Sequence, residues 1–207
     1  MDWSSFLGGV IAAIVGAYGT YLLTEKIEKR KHLFESKQAI NSLYIELKEL
    51  RDECSQNINT IHNSYCRAKQ YEAQIKNADV MLDITIPKPI NITLLNSLID
   101  KSYTLLTTEQ RKGIRTIIYL SQQLEANTLE LTRQLANEHT EIKPRNLLNC
   151  LSILYVIYHI SSDMSECKNR YTKIDKTAEE IRESVLSALG KDMNWSSVVA
   201  FNPIVDQ

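Results

Sequence analysis

Two pairs of side chains in this 207-residue sequence have types and spacings that could support chemistry. The first pair is Arg133 and His139, near the end of a predicted helix, where an arginine and a histidine can meet across the helix end. The imidazole could act as a general acid or base on a ribose 2′-hydroxyl while the guanidinium holds a phosphate. The ordinary alternative is a solvated helix end, which we favour. Arg133 and His139 are thus candidate catalytic residues in a protein that we otherwise predict not to be an enzyme.

The second pair is His62 and Cys66, which stand at positions i and i+4 of a predicted helix and could supply two metal ligands. Structural zinc normally takes four ligands, and no second pair is visible, so we predict no metal and no cofactor. The sequence also lacks the motifs G-x-x-x-x-G-K-[ST], G-x-S-x-G, H-E-x-x-H and C-x-x-C. Their absence excludes the common ATPase, hydrolase and zinc classes in their usual forms.

The composition is that of a folded chain, with 43% hydrophobic and 24% charged residues. A formal net charge of −1 gives no broad electrostatic attraction to nucleic acid, so direct DNA binding is not expected. The chain contains only 6 glycines and 4 prolines, which argues against a turn-rich all-β protein. The composition therefore favours an all-α fold.

The elements that would position these residues begin with an apolar segment from Phe6 to Leu23, which contains no charge and no proline. As a helix it would be about 27 Å long, enough to cross the hydrocarbon core of a bilayer. Trp3 lies at one edge and Tyr18 and Tyr21 at the other, as interfacial aromatic residues do. A cleaved signal peptide is a poorer explanation, because the residues before the segment include no lysine or arginine. We predict a retained transmembrane helix.

Four basic residues follow the apolar segment, and none precedes it. By the positive-inside rule the amino terminus lies outside and the rest of the chain in the cytoplasm, where the four cysteines stay reduced. The same cations could contact anionic lipid headgroups. They are Lys26, Lys29, Arg30 and Lys31.

Small residues recur at every fourth position of the segment and form two adjacent stripes. A flat surface of this kind lets another helix approach closely, which favours a homo-oligomer over a lone anchor. The stripes are Gly8, Ala12, Gly16 and Thr20, and Gly9, Ala13 and Ala17.

We divide the chain into an anchor (1–24), a cytoplasmic bundle of four to five helices (25–190) and an irregular tail (191–207). The first helix should continue from the membrane to about residues 77–78, because no glycine or proline interrupts it. An apolar seven-residue repeat runs along it, accompanied by a half-polar series three positions later. The repeat could pair with a second copy as a coiled coil or pack on its own chain, and we favour the second. It consists of Leu33, Ile40, Leu47, Cys54, Ile61, Ala68 and Ile75.

Further helices are predicted after a loop over 80–90 that has room for a short edge strand. One begins near Asn91 or Thr93, and the next covers 109–138 behind a capping box formed by Thr107 and Gln110. A final helix begins at Pro144 and continues to Leu189, where Gly190 stops it. Its first part, 146–160, is apolar nearly all round and should form the core, although a second membrane span is the rival interpretation. The inward residues of the 109–138 helix are predicted to be Ile114, Ile117, Ile118, Leu124, Leu131 and Leu135.

The whole arrangement resembles a loose group of bacterial single-pass membrane proteins, some of them encoded in phage-defence loci. The resemblance rests on a Gly/Ala-rich span followed by EKIEKRKHLFESK, LYIELKELRDE and LLNSLIDKSYTLLTTEQRKGIRTIIYLSQQLEANT. The chain also looks like the membrane accessory proteins of type VI-B CRISPR systems, which are HEPN-like bundles that assemble into a membrane pore. HEPN ribonucleases use an R-x4–6-H motif, which Arg133 and His139 match, although Gln134 replaces the small polar residue usual after the arginine.

The resemblance implies a homo-oligomeric effector or accessory protein of antiviral defence in the bacterial inner membrane. Its partners would be membrane lipid, further copies of the chain and a protein partner or RNA-guided effector system. Two alternatives stay open. One is a membrane-anchored scaffold that does not conduct ions. The other is an anchored HEPN-like ribonuclease that uses Arg133 and His139.

Overall fold

The computed structural model describes residues 3–73, 84–136, 142–172 and 175–191, and every regular element in these ranges is helical. Along α1, side chains are described for Gly9 and residues 13–69. The predicted all-α fold is confirmed. Residues 84–92 contain no strand, so the described part of the 80–90 loop lacks the edge strand that we considered. The α-helices are α1 (Trp3–Ala73), α2 (Thr93–Ser102), α3 (Thr108–Ala136), α4 (Pro144–Cys167) and α5 (Ala178–Ala188).

Helix α4 is the centre of the fold, as its apolar sequence predicts. It packs against α1, α3 and α5, and Leu147, Leu151 and Leu154 on it are completely buried. Among the described residues one helical stretch, Pro144–Arg170, is long and apolar enough to cross a membrane, and 56% of its apolar window is buried inside the protein. Burial of this kind is what a core helix shows, since a membrane span would turn that surface to lipid. The side chains of 3–8 and 10–12 lie outside the described part, so this finding does not address the amino-terminal segment.

The seven-residue repeat of α1 packs on its own chain. Leu47, Cys54, Ile61 and Ala68 of the repeat are buried against the other helices, which confirms packing within the chain over this stretch. Leu33, by contrast, is exposed, so its predicted place in the seam is wrong. The reason is geometric: from residue 13 onward the first buried residue of α1 is Ser36, and none of the described helices buries a side chain between 13 and 35. Ile75, the last residue of the repeat, lies outside the described residues.

The predicted helix starts are found with the expected local chemistry. The Thr107 N–H donates to Gln110 Oε1 over 2.8 Å, and the Gln110 N–H donates to Thr107 Oγ1 over 3.2 Å, which completes the capping box before α3. Pro144 occupies the first turn of α4, where its missing N–H costs nothing. At the end of α5, Gly190 has φ +63°. The Lys191 N–H donates there to the Leu186 carbonyl, in a Schellman arrangement.

The prediction of one helix from Pro144 to Leu189 is wrong. Helix α4 ends at Cys167, and Lys168 takes φ 49° and ψ −121°, a backbone conformation that a helix cannot contain. A 3₁₀ turn, Lys168–Arg170, follows. Helix α5 then starts afresh behind a second capping box, between Thr177 and Glu180. The T-x-x-E spacing of this box already marks a helix start in the sequence, and the prediction of a continuous helix overlooked it.

Two smaller expectations also differ from the structure. Leu135 is exposed and does not face inward, because it lies in the last turn of α3, whereas Ile114, Ile117, Leu124 and Leu131 are buried as predicted. Ile118 is partly buried against the core. The predicted helix ends at 77–78 and at Glu138 and the tail from residue 192 onward lie outside the described residues.

The buried His159 side chain should make the stability of the folded protein depend on pH. Its side chain is 5% exposed, and Nε2 lies 3.4 Å from Asp163 Oδ2. Burial lowers the pKa of His159, the Asp163 carboxylate opposes this, and Lys176 adds to the lowering. Burial prevails because the Asp163 side chain is 43% exposed, so that water screens its charge. The unfolded chain takes up this proton near its ordinary pKa of about 6.5, and the folded chain does so only at lower pH.

The stabilisation that the folded protein gains from neutral His159 is therefore fully present above about pH 6.5. It is lost as the pH falls towards the pKa of His159 in the folded protein, which is the lower of the two. We expect the Tm of the solubilised protein to fall between about pH 7.5 and about pH 5.5, and to fall less in His159→Gln. Thermal unfolding at the two pH values measures this difference. The comparison with the variant is needed because burial also lowers the pKa of His62. An equal fall in both proteins would show that His159 is not responsible.

Candidate functional site

The amino-terminal part of α1 extends beyond the body of the protein. From residue 13 to residue 35 no side chain is buried, although the helix is continuous throughout. Residues 3–35 of such a helix are about 50 Å long. The exposed side chains include large apolar ones that water solvates poorly, namely Ile14, Val15, Tyr18, Tyr21, Leu22, Leu23 and Ile27.

The predicted small-residue stripes lie on this free stretch. Gly9, Ala13, Gly16, Ala17 and Thr20 are exposed, and a Cβ built on Gly9 or Gly16 would meet nothing within 4 Å. The Thr20 hydroxyl donates to the Gly16 carbonyl over 2.8 Å, so it is satisfied without water. Gly8 and Ala12 belong to α1, but their surroundings lie outside the described side chains. Within the described part of the chain, nothing covers the stripes.

The glycine surface continues along α1 as an apolar face. At about 100° per residue, positions 9, 16, 27, 34 and 45 of α1 fall within about 20° of one another around the helix axis. They lie about half a turn away from Leu47 and Cys54, which face the core. Ile27, Phe34 and Ile45 are 63%, 68% and 61% exposed, although Ile45 stands beside the packed body. We call this surface the outward face; it consists of Gly9, Gly16, Ile27, Phe34 and Ile45.

The basic residues Lys26, Lys29, Arg30 and Lys31 follow the apolar segment, and carboxylates neutralise two of them in part. We call these four residues the basic collar. Lys29 pairs with Glu25, and Lys31 lies 4.0 Å from Glu35, each pair spanning one helix turn. Lys26 and Arg30 have no ion pair within the described residues. Exposed pairs of this kind are weak, so all four cations stay available to an anionic surface. The structure thus keeps the predicted headgroup-binding residues exposed on one short stretch of helix.

The candidate catalytic pair is described only in part. Arg133 lies in the last turn of α3, is largely exposed, and approaches Glu130 at 4.0 Å. His139 lies outside the described residues. The neighbouring Gln134 donates to Glu130 Oε1 and accepts a hydrogen bond from Asn146 at the start of α4. This environment is that of an exposed helix end, which is the ordinary alternative considered for the pair.

His62 and Cys66 lie together, as the sequence spacing predicts, with Nδ1 and Sγ 3.8 Å apart. Among the described residues no group of three or more His, Cys, Asp or Glu side chains could hold a metal ion. Both groups are half-buried, and burial raises the pKa of the Cys66 thiol while it lowers that of His62. The pair therefore stays uncharged near neutral pH.

A polar cluster around this pair was missed by sequence reasoning. Tyr155 on α4 and Arg182 on α5 carry buried polar atoms that make no hydrogen bond within the described residues. The charge of Arg182 acts on Tyr155, so these two groups are neighbours. The charge of Lys191 acts on both His62 and Cys66, so Lys191 lies near that pair. No motif could have predicted the cluster, because its members come from three distant segments of the chain.

Comparison of the chain with protein-family models, with curated proteins and with solved structures finds no match. The function proposed below therefore rests on the residues and geometry of the chain and on the resemblance described under the sequence analysis.

Proposed function

We propose that the protein is a homo-oligomeric single-pass membrane effector or accessory protein of bacterial antiviral defence, which perturbs the membrane or forms a pore. The observation that carries the proposal is the projecting half of α1. Its large apolar side chains are exposed in the isolated chain, and its small-residue surface is free. The defence role comes from the family resemblance, whereas the anchor and the self-association come from the residues of α1.

Membrane insertion accounts for the exposed apolar side chains. Removing a large aliphatic or aromatic side chain from water stabilises a protein by about 1.5–3 kcal/mol, and α1 exposes several of them between Ile14 and Ile27. All backbone groups of a continuous helix are satisfied internally, as hydrocarbon requires. The collar that begins at Lys26 then lies at the headgroups, with the amino terminus outside and the helical body in the cytoplasm.

Self-association accounts for the outward face. Copies of a single-pass protein share one orientation, so their α1 helices run parallel and can meet along the same face. Gly9 and Gly16 allow close approach within the membrane. Ile27, Phe34 and Ile45 would continue the contact beyond it, on the side of α1 opposite the core. A scattered exposed apolar residue is ordinary, but alignment of these residues with the glycines favours one continuous interface.

Membrane permeability in intact cells tests the effector role. Cells induced to make the full chain should take up a membrane-impermeant dye, and cells making equal amounts of Gly16→Leu should not. The leucine side chain would hold the helices apart, because it fills the surface on which they approach. Unchanged permeability in cells that contain the assembled wild-type protein would exclude the effector.

That outcome would favour the second candidate, a membrane-anchored scaffold without conductance. Its supporting observation is the exposure of Tyr119 and Leu129 on α3, away from α1, where a partner protein could bind. A scaffold should keep its activity in Gly16→Leu, because partner capture by the body does not require contact between the spans.

A further inference from the structure

A cavity lies where the projecting half of α1 meets the packed body, between α1 and α2. Its volume is about 510 Å³, within the range of about 300–1,000 Å³ that small-molecule sites have. The α1 residues that line it occupy one side of that helix over about three turns, and α2 forms the facing wall. We call this space the α1–α2 cavity. Its polar lining residues are His32, Glu35, Ser36, Gln38, Ser42 and Lys101.

Ser36 brings an unpartnered hydroxyl to the cavity. The residue is 3% exposed, and its hydroxyl makes no hydrogen bond with any described residue. Serine and threonine within a helix often donate to the carbonyl four residues earlier, as Ser102 and Thr128 do in this protein. Ser36 Oγ is not among the enclosed polar atoms that lack partners in the described ranges, so it keeps accessible surface towards the cavity. Proteins rarely leave such a group unpaired, which points to a ligand.

The charged lining residues can be reached from solvent. Lys101 is exposed and has no ion pair in the part of the chain that the structure describes. Glu35 is exposed as well, and Lys31 approaches its carboxylate at 4.0 Å, which offsets part of the negative charge. The lining therefore offers an ammonium group for an anion, and carboxylate, amide and hydroxyl groups for hydrogen bonds.

We propose that the α1–α2 cavity binds a soluble phosphorylated sugar, whose phosphate contacts the Lys101 ammonium and whose hydroxyls hydrogen-bond with Ser36 and Glu35. A phosphate oxygen forms strong, charge-assisted hydrogen bonds with an ammonium group. Sugar hydroxyls both donate and accept, so they can satisfy a carboxylate and a serine at once. Leu98 in the facing wall gives the C–H groups of the ring an apolar surface.

The position of the cavity favours a soluble ligand over a lipid headgroup. His32 lies about 14 Å along α1 from Leu23, where the proposed span ends. The headgroup layer is about 5–8 Å thick on each side of the hydrocarbon core, so the cavity would open beyond it. This choice of source rests on the proposed span, whereas the cavity itself does not. No residue of the outward face lines the cavity, so binding does not require self-association.

Calorimetric titration of the detergent-solubilised full chain with glucose 6-phosphate, at constant ionic strength, tests the proposal. The wild type should bind it saturably, and unphosphorylated glucose should bind at least about tenfold more weakly. Lys101→Gln should weaken binding of glucose 6-phosphate about tenfold and Ser36→Ala about fivefold, because each removes one donor. Both variants should fold, since Lys101 is exposed and the Ser36 hydroxyl has no described partner to lose.

Lys48→Gln and Ser152→Ala are the matched controls. They remove the same chemical groups from exposed positions on α1 and α4 that do not line the cavity. Both should bind glucose 6-phosphate as the wild type does.

Absence of saturable binding by the wild type would overturn the proposal. Undiminished binding by either folded variant, Lys101→Gln or Ser36→Ala, would do so as well, because the ligand would then lie elsewhere. Equal binding of glucose and glucose 6-phosphate would contradict the phosphate contact. Competition by phosphatidylglycerol in the same micelles would show that a headgroup occupies the cavity, and the assignment to a soluble ligand would be wrong.

Discussion

Gln110→Ala is expected to lower the free energy of unfolding by about 2–4 kcal/mol, the largest single-residue effect that we foresee outside the apolar core. Gln110 is completely buried, and its amide joins three separate segments. Nε2 donates to the Tyr44 hydroxyl on α1 over 2.8 Å and to the Lys168 carbonyl over 3.1 Å. Oε1 accepts from the Thr107 N–H. Truncation leaves that N–H unpaired and removes one of the two hydrogen bonds of the Lys168 carbonyl, which also accepts from the Tyr171 N–H.

Urea unfolding of the solubilised full chain measures this loss. Gln122→Ala, at an exposed position of the same helix, is the matched control and should change stability by no more than about 0.5 kcal/mol. Equal stability of the two variants would show that the Gln110 hydrogen bonds do not hold the end of α4 in place.

Phe34→Cys and Ile45→Cys are expected to form disulfide-linked dimers in nearly all membrane-inserted protein after mild oxidation. Both positions lie on the outward face, and parallel copies that meet there bring identical residues together. The experiment requires serine at the exposed Cys167 and the half-buried Cys66, whereas Cys54 and Cys150 are buried. Non-reducing electrophoresis gives the dimer fraction.

Leu33→Cys is the control for orientation. Leu33 is 47% exposed and immediately precedes Phe34, but it lies about 100° away around the helix. It should cross-link little. Similar cross-linking at positions 33, 34 and 45 would indicate random collision, and the outward face would then not be an interface.

Most of the fold could be predicted from local patterns. The capping box at Thr107, the proline at the start of α4 and the apolar run within α4 each act over a few residues, so the sequence displays them directly. The end of α4 at Cys167 could not be predicted in this way, because no glycine or proline marks it, although the capping box at Thr177 does mark the start of α5. Long-range bonds accompany the break: Gln110 donates to the Lys168 carbonyl, and the Tyr44 hydroxyl donates to Asn169 Oδ1 over 3.1 Å.

The candidate sites also differ in whether local sequence patterns reveal them. The glycine stripes are periodic and the basic residues are consecutive or nearly so within one helix, so spacing and charge in the sequence were enough to locate them. The polar cluster around His62 and Cys66 joins residues nearly 130 positions apart, and its unsatisfied buried hydroxyl, that of Tyr155, exists only after folding. The direction of the outward face also required the structure, because the core-facing side of α1 had to be known first.

Light scattering of the detergent-solubilised full chain tests most directly the claim that α1 assembles copies of this protein. The wild type should have the mass of a discrete oligomer, and Gly16→Leu should have that of a monomer. Ile14→Phe, which adds bulk on the opposite side of the same span, should keep the wild-type mass. A monomeric wild type, or an oligomer unaffected by Gly16→Leu, would contradict assembly through the glycine surface.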